Sequence, residues 1–414
     1  MKPKLTMIAA LIAGLACNAH ADVVTDWNVK TGNFIADAKL GTPPAVRVMA
    51  LVQTAAHAAV TAANAGGATA AADAAVAAAH RAVLVKLLPA QQAAIEAAYQ
   101  ASLADIAESP AKAAGIAAGE RAAADVIAQR AGDSPAAPET YRPHAVAGAY
   151  VPTVTPAVPN WPQRKPWLLA SPAEFRPAAP PALTSDAWAR DYNEVKALGS
   201  KASAQRTPEQ TEIARFWEYS LPAIYFGVVR SVADQPGRDV ARNARLYAAV
   251  AQAMDDAMIS VFDAKYHYNF WRPGTAIRNG DADGHDGTQR DAGWTSLIDA
   301  PLHPEYPSGH GILAGAVGAV LKADVGAGTM PALTTSSPTA KGVVRRWNSV
   351  DDFVREVGDA RIYAGIHYRS ATETGAAMGQ RIGEVAAAKL LPAAQAAAAD
   401  TGAQLPLAAA DARP

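Results

Sequence analysis

The chain has 414 residues, of which 50% are hydrophobic and 18% are charged, and its formal net charge is −1. This composition is that of a globular protein long enough to form a large core. A nucleic-acid partner is not expected, because proteins that bind nucleic acids usually carry a clear basic excess.

The first 21 residues have the pattern of a secretory signal peptide. Two lysines precede an apolar run over residues 7–16, and small residues stand before a cleavage position after Ala21. We therefore expect cleavage there and export to the periplasm or the medium. The apolar run is too short to span a bilayer, and no later run is expected to do so. The single cysteine, Cys17, lies in this segment, so the mature chain would form no disulfide.

Residues 22–133 are predicted to be an N-terminal helical part. They are rich in alanine, which has the highest helix propensity and allows helices to pack closely. One helix is expected to begin after Pro43-Pro44 and to end before Gly66-Gly67.

Residues 134–184 form a proline-rich segment that also contains Trp161, Trp167 and Phe175. A disordered linker would lack such rings. We therefore expect this segment to wrap the surface of a helical body.

Residues 185–392 are predicted to form the catalytic helical bundle, followed by a low-complexity tail over residues 393–414. Ser185 is a good cap for a helix, and Thr207-Pro208-Glu209-Gln210 has the residues of a capping box. A long helix is expected from Asp239 towards Phe270. Strand patterns are nearly absent, so the predicted fold class is all-α.

Three short motifs in this part combine cations and histidines. Lys265 and Arg272 are seven residues apart, which places them near one face of a helix, and Pro273 predicts that Arg272 stands at the end of that helix. Two cations on one stripe repel each other unless an anion lies between them. Alternatively, Lys265 extends to solvent and Arg272 pairs with an acid such as Asp256.

The second motif is His303 to His310, "HPEYPSGH". Ser308 can cap a helix, Gly309 permits close approach to the backbone, and a helix N-terminus favours a phosphate-like anion. His310 in the first turn can then transfer a proton to a bound group. The alternative is an ordinary cap with a surface histidine. His303 is a further candidate because it is close to this motif.

The third motif contains Arg361 and His367, six residues apart. An unbroken helix would separate them by about 120°, but Gly365 can break the helix and let both side chains point to one site. The alternative is a histidine at a helix end with a solvated arginine.

Together, the three motifs resemble the signature of vanadium-dependent haloperoxidases and type 2 phosphatidic acid phosphatases, including bacterial class A acid phosphatases. Stretches such as residues 165–185 and 207–217 are similar to secreted bacterial proteins of the haloperoxidase side. The resemblance implies a bundle of helices around an oxyanion. It also implies roles for seven residues, here called the cage residues. Five of them would bind oxygens of vanadate or phosphate: Lys265, Arg272, Arg361, Ser308 and, through its N–H, Gly309. His310 would be the acid–base group, and His367 would be the vanadium ligand or the nucleophile.

Two positions depart from the family pattern. Ala360 stands where a serine is usual, and Ala371 stands where an aspartate usually follows the histidine by four residues. A carboxylate at that place would hold the far nitrogen of His367. Glu373 or Glu356 is a possible substitute.

The resemblance implies that vanadate is a cofactor that activates hydrogen peroxide to oxidise a halide, with Trp271 lining a halide pocket. The alternative is an acid phosphatase-like hydrolase of small phosphomonoesters, in which His367 takes up the phosphoryl group and no cofactor is needed. A non-catalytic anion-binding protein is a third possibility. A zinc site at His303, Glu305, His310 and His367, or a calcium loop at residues 279–287, lacks the usual spacing. The sequence predicts no oligomeric state.

Overall fold

The computed structural model describes residues 22–65, 69–133 and 140–391, without the side chains of residues 69 and 70. The predicted signal peptide, residues 1–21, and the predicted tail, residues 393–414, lie outside the described residues. Export and cleavage after Ala21 therefore stay predictions, as do the domain limits.

The described residues form thirteen α-helices and one two-stranded sheet, which confirms the all-α class. The helices are α1 (Val23–Asp37), α2 (Thr42–Asn64), α3 (Thr69–Leu87), α4 (Gln92–Ala104), α5 (Pro110–Gln129), α6 (Asp186–Leu198), α7 (Pro208–Phe216), α8 (Ala223–Ala233), α9 (Val240–Tyr268), α10 (Pro273–Arg278), α11 (Gly309–Val325), α12 (Val350–Tyr363) and α13 (Arg369–Leu390). The strands are β1 (Leu333–Ser337) and β2 (Ala340–Trp347).

Helix α2 is the centre of the N-terminal part, where it packs against α3, α5 and the long helix α9. Among the described helices, α2 is the one that is long and apolar enough to cross a membrane. No apolar run of that length was predicted from the sequence. However, 72% of its most apolar window is buried inside the protein. This burial is typical of a core helix.

Helices α9, α11 and α13 pack together to form the C-terminal bundle. Helices α11 and α13 approach very closely: a Cβ added at Gly379 would lie 2.0 Å from the carbonyl oxygen of Ile312. Between α11 and α12 the chain forms the antiparallel hairpin β1–β2. The hairpin was not predicted, because its strands are short and lack regular alternation of apolar residues.

Two predicted helix starts are confirmed. Ser185 Oγ accepts a hydrogen bond from Trp188 N, and Thr207 and Gln210 form a reciprocal capping box. The predicted end of α9 is wrong: the helix stops at Tyr268, and Asn269 has a left-handed backbone with φ 48°. Arg272 follows in an extended conformation rather than at the helix end.

The proline-rich segment lies along α9 over part of its length. The carboxylate of Asp256 accepts hydrogen bonds from the backbone N–H groups of Trp167, Leu168 and Leu169 at 2.7–3.1 Å. Further along, Arg176 forms a two-pronged ion pair with Asp263. The alternative pairing of Arg272 with Asp256 is therefore wrong.

Candidate functional site

The three sequence motifs meet at one cavity of about 450 Å³. Five of the seven cage residues line the cavity: Lys265 near the end of α9, Gly309 and His310 at the start of α11, Arg361 near the end of α12, and His367 in the turn that follows. Arg272 and Ser308 are in the layer behind this wall.

The turn between α12 and α13 brings Arg361 and His367 to the same cavity. Gly365 has φ +78°, a conformation that strongly favours glycine. Its Cα also lies against the backbone of Gly199, where an added Cβ would come within 2.3 Å of the carbonyl oxygen. Gly365 thus ends α12 as the sequence predicted.

Backbone carbonyls, not acids, hold Lys265 in place. The side chain is completely buried, and its ammonium donates hydrogen bonds to the carbonyls of Pro304, Glu305 and Pro307 at 2.6–3.1 Å. These three bonds use all three ammonium hydrogens. A direct bond from Lys265 to an anion would therefore have to replace one of them.

Arg272 is 3% exposed and connects the loop before α11 to the turn after α12. Its Nε donates to the carbonyl of His303, and one terminal nitrogen donates to the carbonyl of Ile366. The same nitrogen lies 3.3 Å from Nε2 of His367. Arg272 therefore contacts the imidazole directly.

Arg361 is also 3% exposed. One terminal nitrogen donates to the carbonyl of Trp217. Its Nε has no hydrogen-bond partner among the described residues, and the same holds for Nε2 of His310. Buried polar groups are normally paired, so these two atoms leave hydrogen-bonding capacity for a ligand in the cavity.

The buried Glu305 offsets the charges of Lys265 and Arg272 only in part, because it lies outside ion-pair distance of both. None of the three cations forms an ion pair with an acid in the described part of the chain. Burial lowers the pKa of Lys265 well below its usual value, and it lowers the pKa of Arg272 and of Arg361 to about 10. An oxyanion would relieve this cost, because buried charges are stable only when they are paired.

The start of α11 contributes a helix N-terminus. Ser308 Oγ accepts a hydrogen bond from Gly311 N at 3.2 Å, as predicted for a cap. A hydroxyl can donate while it accepts, so Ser308 keeps one hydrogen to offer. Gly309 stands at the first position of the helix, where backbone N–H groups lack a partner within the helix.

A carboxylate does hold the far nitrogen of His367, but it is not one that the sequence suggested. His367 Nδ1 lies 2.7 Å from Oε1 of Glu305, which is fully buried. The two predicted substitutes are wrong: Glu373 is exposed, and Glu356 pairs with Arg345. Sequence reasoning missed Glu305 in this role, although its place between two prolines of the second motif was a signal.

His303 also reaches the cage. Its ring lines the cavity, and its Nδ1 lies 3.0 Å from a terminal nitrogen of Arg272. Burial, together with the charges of Lys265 and Arg272, lowers its pKa well below the usual value. The His303 side chain is therefore uncharged at neutral pH and forms part of the cavity wall.

Trp271 does not line this cavity, which corrects the expected halide pocket. Its ring stacks on Trp188 with 5.8 Å between centroids, and it borders a separate surface cavity. The metal alternatives also lack support: no cluster of three or more His, Cys, Asp or Glu side chains suited to a metal ion occurs in the described ranges. In the acidic loop, Asp283 instead accepts hydrogen bonds from Trp188 and Thr288.

The rest of the cavity wall is apolar and comes from distant parts of the chain. The N-terminal part contributes the turn at the start of α2, and the proline-rich segment contributes Val158. The bundle adds further apolar side chains: Met258, Phe262, Leu302 and Leu313. The cavity thus combines a cationic floor with apolar walls.

Comparison with known proteins gives a consistent result. Residues 245–395 match the family model of the VCPO second helical-bundle domain. The vanadium chloroperoxidase of Curvularia inaequalis is 30% identical over an alignment of 182 residues. The match covers 36% of this chain and 29% of the length of that relative.

Solved structures show the same fold. A bacterial vanadium-dependent iodoperoxidase superposes with a TM-score of 0.74 at 23% identity, covering 89% of this chain and 96% of that one. A bacterial vanadium-dependent chloroperoxidase in its apo form gives a TM-score of 0.69 at 18% identity, covering 83% and 92%.

Proposed function

We propose that this chain belongs to the superfamily of vanadium-dependent haloperoxidases and type 2 phosphatidic acid phosphatases, and that it is an enzyme of the haloperoxidase type. Vanadate is its proposed cofactor, and hydrogen peroxide and a halide are its proposed substrates. The similar proteins are chloroperoxidases and an iodoperoxidase, and their activities support this choice.

One observation carries the proposal: two buried cations, Lys265 and Arg361, line the cavity, and a third, Arg272, lies behind its wall. No acid of the described chain neutralises them by an ion pair. The free Nε of Arg361 and the free Nε2 of His310 add hydrogen-bonding capacity on the same wall. Vanadate fits this set of donors, because it is a small oxyanion that needs positive charge and N–H groups at its oxygens.

The protein contributes charge, orientation and a proton acceptor. Vanadate, when bound, supplies the Lewis acidity that activates hydrogen peroxide towards a halide. Lys265, Arg272 and Arg361 provide a preorganised positive field in a pocket with apolar walls, where electrostatic interactions are strong. His310, whose pKa burial and the charge of Arg361 lower well below its usual range, is neutral and can accept a proton from the peroxide at Nε2.

A phosphatase is the second candidate, and one observation favours it. With Nδ1 hydrogen-bonded to Glu305, His367 can present an unprotonated Nε2, which is what a nucleophilic histidine needs. His367 would then take up the phosphoryl group while His310, after taking up a proton when the anionic substrate binds, protonates the leaving alcohol. A bound phosphomonoester would use the same cations as vanadate.

The test is a paired activity measurement on the purified protein. We expect halide-dependent oxidation by hydrogen peroxide only after vanadate is added, and inhibition of this activity by phosphate. His367→Ala and Arg361→Met should reduce it at least about 100-fold. His267→Ala, which changes an exposed histidine on α9 away from the cavity, is the matched control.

Hydrolysis of p-nitrophenyl phosphate without vanadate, lost in His367→Ala, would replace this proposal by the phosphatase. Hydrolysis that requires added zinc or calcium would exclude both oxyanion reactions. Phosphate or vanadate binding without either activity would indicate an anion-binding protein.

A further inference from the structure

We propose that Glu305 is the positioning residue that fixes the ring orientation and the tautomer of His367, so that the lone pair is on Nε2, the nitrogen that would bind the oxyanion. This inference rests on the proposed function only in that it assigns His367 to the bound oxyanion. Its structural basis is the environment of the imidazole in the folded chain.

The carboxylate of Glu305 meets the turn before α13 at two points. Its Oε1 accepts the hydrogen of His367 Nδ1 at 2.7 Å and also accepts the backbone N–H of Tyr368 at 3.0 Å. Bonds to two successive residues fix the carboxylate relative to the turn. A carboxylate that bonded the imidazole alone would leave the ring free to rotate with it.

The backbone of Glu305 is itself held by the first motif. Its N–H donates to the carbonyl of Phe270 at 2.9 Å, and its carbonyl accepts from the ammonium of Lys265 at 2.8 Å. Glu305 therefore connects the end of α9 with the turn that carries His367. Its side chain is 0% exposed, so water does not compete for these bonds.

The contacts on the two ring nitrogens define one tautomer. Oε1 of Glu305 accepts the backbone N–H of Tyr368 and is therefore an acceptor oxygen, so Nδ1 of His367 carries the hydrogen. Arg272 has only donors, and it lies 3.3 Å from Nε2 of the same ring. Nε2 therefore holds the lone pair, on the side of the ring where the guanidinium of Arg272 lies.

This arrangement has a direct consequence for a ligand. A neutral imidazole can coordinate a metal or attack a phosphorus atom only through its unprotonated nitrogen. If Glu305 did not hold Nδ1–H, the hydrogen could reside on Nε2, and the ring would present a donor to the anion instead of a lone pair. Outer partners of this kind typically change metal affinity or activity 10–100-fold.

The test uses two substitutions that separate the hydrogen bond from the charge. Glu305→Leu removes the acceptor at a similar volume, and Glu305→Gln keeps an acceptor oxygen but removes the charge. Asp191→Asn is the matched control, because Asp191 is 1% exposed and accepts the backbone N–H of Ser370 at 2.9 Å without contacting His367.

The first measurement is ¹⁵N NMR of the vanadate-free protein labelled at histidine, with His367→Ala used to assign the signal. We expect hydrogen on Nδ1 in the wild-type protein, in Glu305→Gln and in Asp191→Asn. In Glu305→Leu we expect a mixture of tautomers or hydrogen on Nε2. Wild-type protein with hydrogen on Nε2 would overturn the proposal, even if Glu305→Leu failed to fold.

The second measurement is the dissociation constant for vanadate, with inorganic phosphate as a parallel probe. It should rise about 10–100-fold in Glu305→Leu, less in Glu305→Gln, and not in Asp191→Asn. An unchanged tautomer and affinity in folded Glu305→Leu would show that Glu305 is only structural. The NMR measurement needs no vanadate and therefore tests the role of Glu305 by itself. Absence of haloperoxidase activity would contradict the proposed function, but it would not affect the conclusion about Glu305.

Discussion

At the scale of single residues, the cage consists of buried cations whose burial costs free energy. Lys265 and Arg272 point their hydrogens at carbonyls of the loop before α11, and these carbonyls orient the charges without neutralising them. Proteins commonly sacrifice stability in this way at binding sites. The charge that is left uncompensated is available to a ligand.

The histidines of the cavity should couple anion binding to protons. Burial, with the nearby charges of Arg272, Lys265 and Arg361, holds the pKa of His367 well below its usual value, and that of His310 is lowered in the same direction. A bound anion opposes the repulsion from the cations, so these pKa values rise and the complex takes up protons. Affinity is therefore expected to increase as the pH falls from about 6.5, the usual pKa of histidine, towards 5.

Sulfate is the appropriate probe, because its charge is constant over this range. We expect its affinity to rise by up to about tenfold per pH unit for each proton taken up, measured by titration calorimetry. His310→Gln should reduce this slope. A sulfate affinity that does not change between pH 7 and pH 5 would contradict the coupling.

At the scale of elements, local signals placed the helices correctly where a side chain caps its own helix. Ser185, Thr207 and Ser308 all cap the predicted helices. The end of α9 was misjudged because Asn269 ends the helix in a left-handed conformation, before Pro273 can act. The turn at Gly365 was predictable, because a helix that continued would have separated Arg361 from His367.

Among the contacts that attach the proline-rich segment to α9 are one buried carboxylate and one more accessible ion pair. We expect Asp256→Asn to lower the free energy of unfolding by about 1–3 kcal/mol, because one of the two oxygens that accept from three backbone N–H groups becomes an amide donor. Asp263→Asn, which removes only the pair with Arg176, should cost less than about 1 kcal/mol. Urea unfolding of both variants checks this difference, and equal losses would show that the segment is not held mainly through Asp256.

At the scale of the whole molecule, the cavity has walls from the N-terminal part, the proline-rich segment and the bundle. A cavity of about 450 Å³ is far larger than a halide or a peroxide molecule requires, and it lies in the range of sites for small organic molecules. The folded arrangement therefore offers an apolar surface next to the cationic floor.

An oxyanion with an apolar substituent should use both surfaces. We expect phenylphosphonate to bind roughly tenfold to 100-fold more tightly than methylphosphonate, because burial of a phenyl group contributes about 1.5–3 kcal/mol. Leu302→Asn, a change at the partly exposed rim, should reduce this ratio, whereas Val344→Asn on the distant strand β2 should not. Equal affinities of the two phosphonates in the wild-type protein would show that the apolar wall does not contact the ligand.

The sequence by itself determined the class of fold, the capped helices and the three motifs of the cage. These features depend on backbone geometry within a few residues, so spacing and residue type are sufficient to predict them. Only the tertiary structure decided that Glu305 serves His367, 62 residues away, and that Arg272 contacts the imidazole from an extended segment. Pairings of this kind depend on how loops pack against each other. A buried charge pairs with whichever group the fold brings within hydrogen-bonding distance.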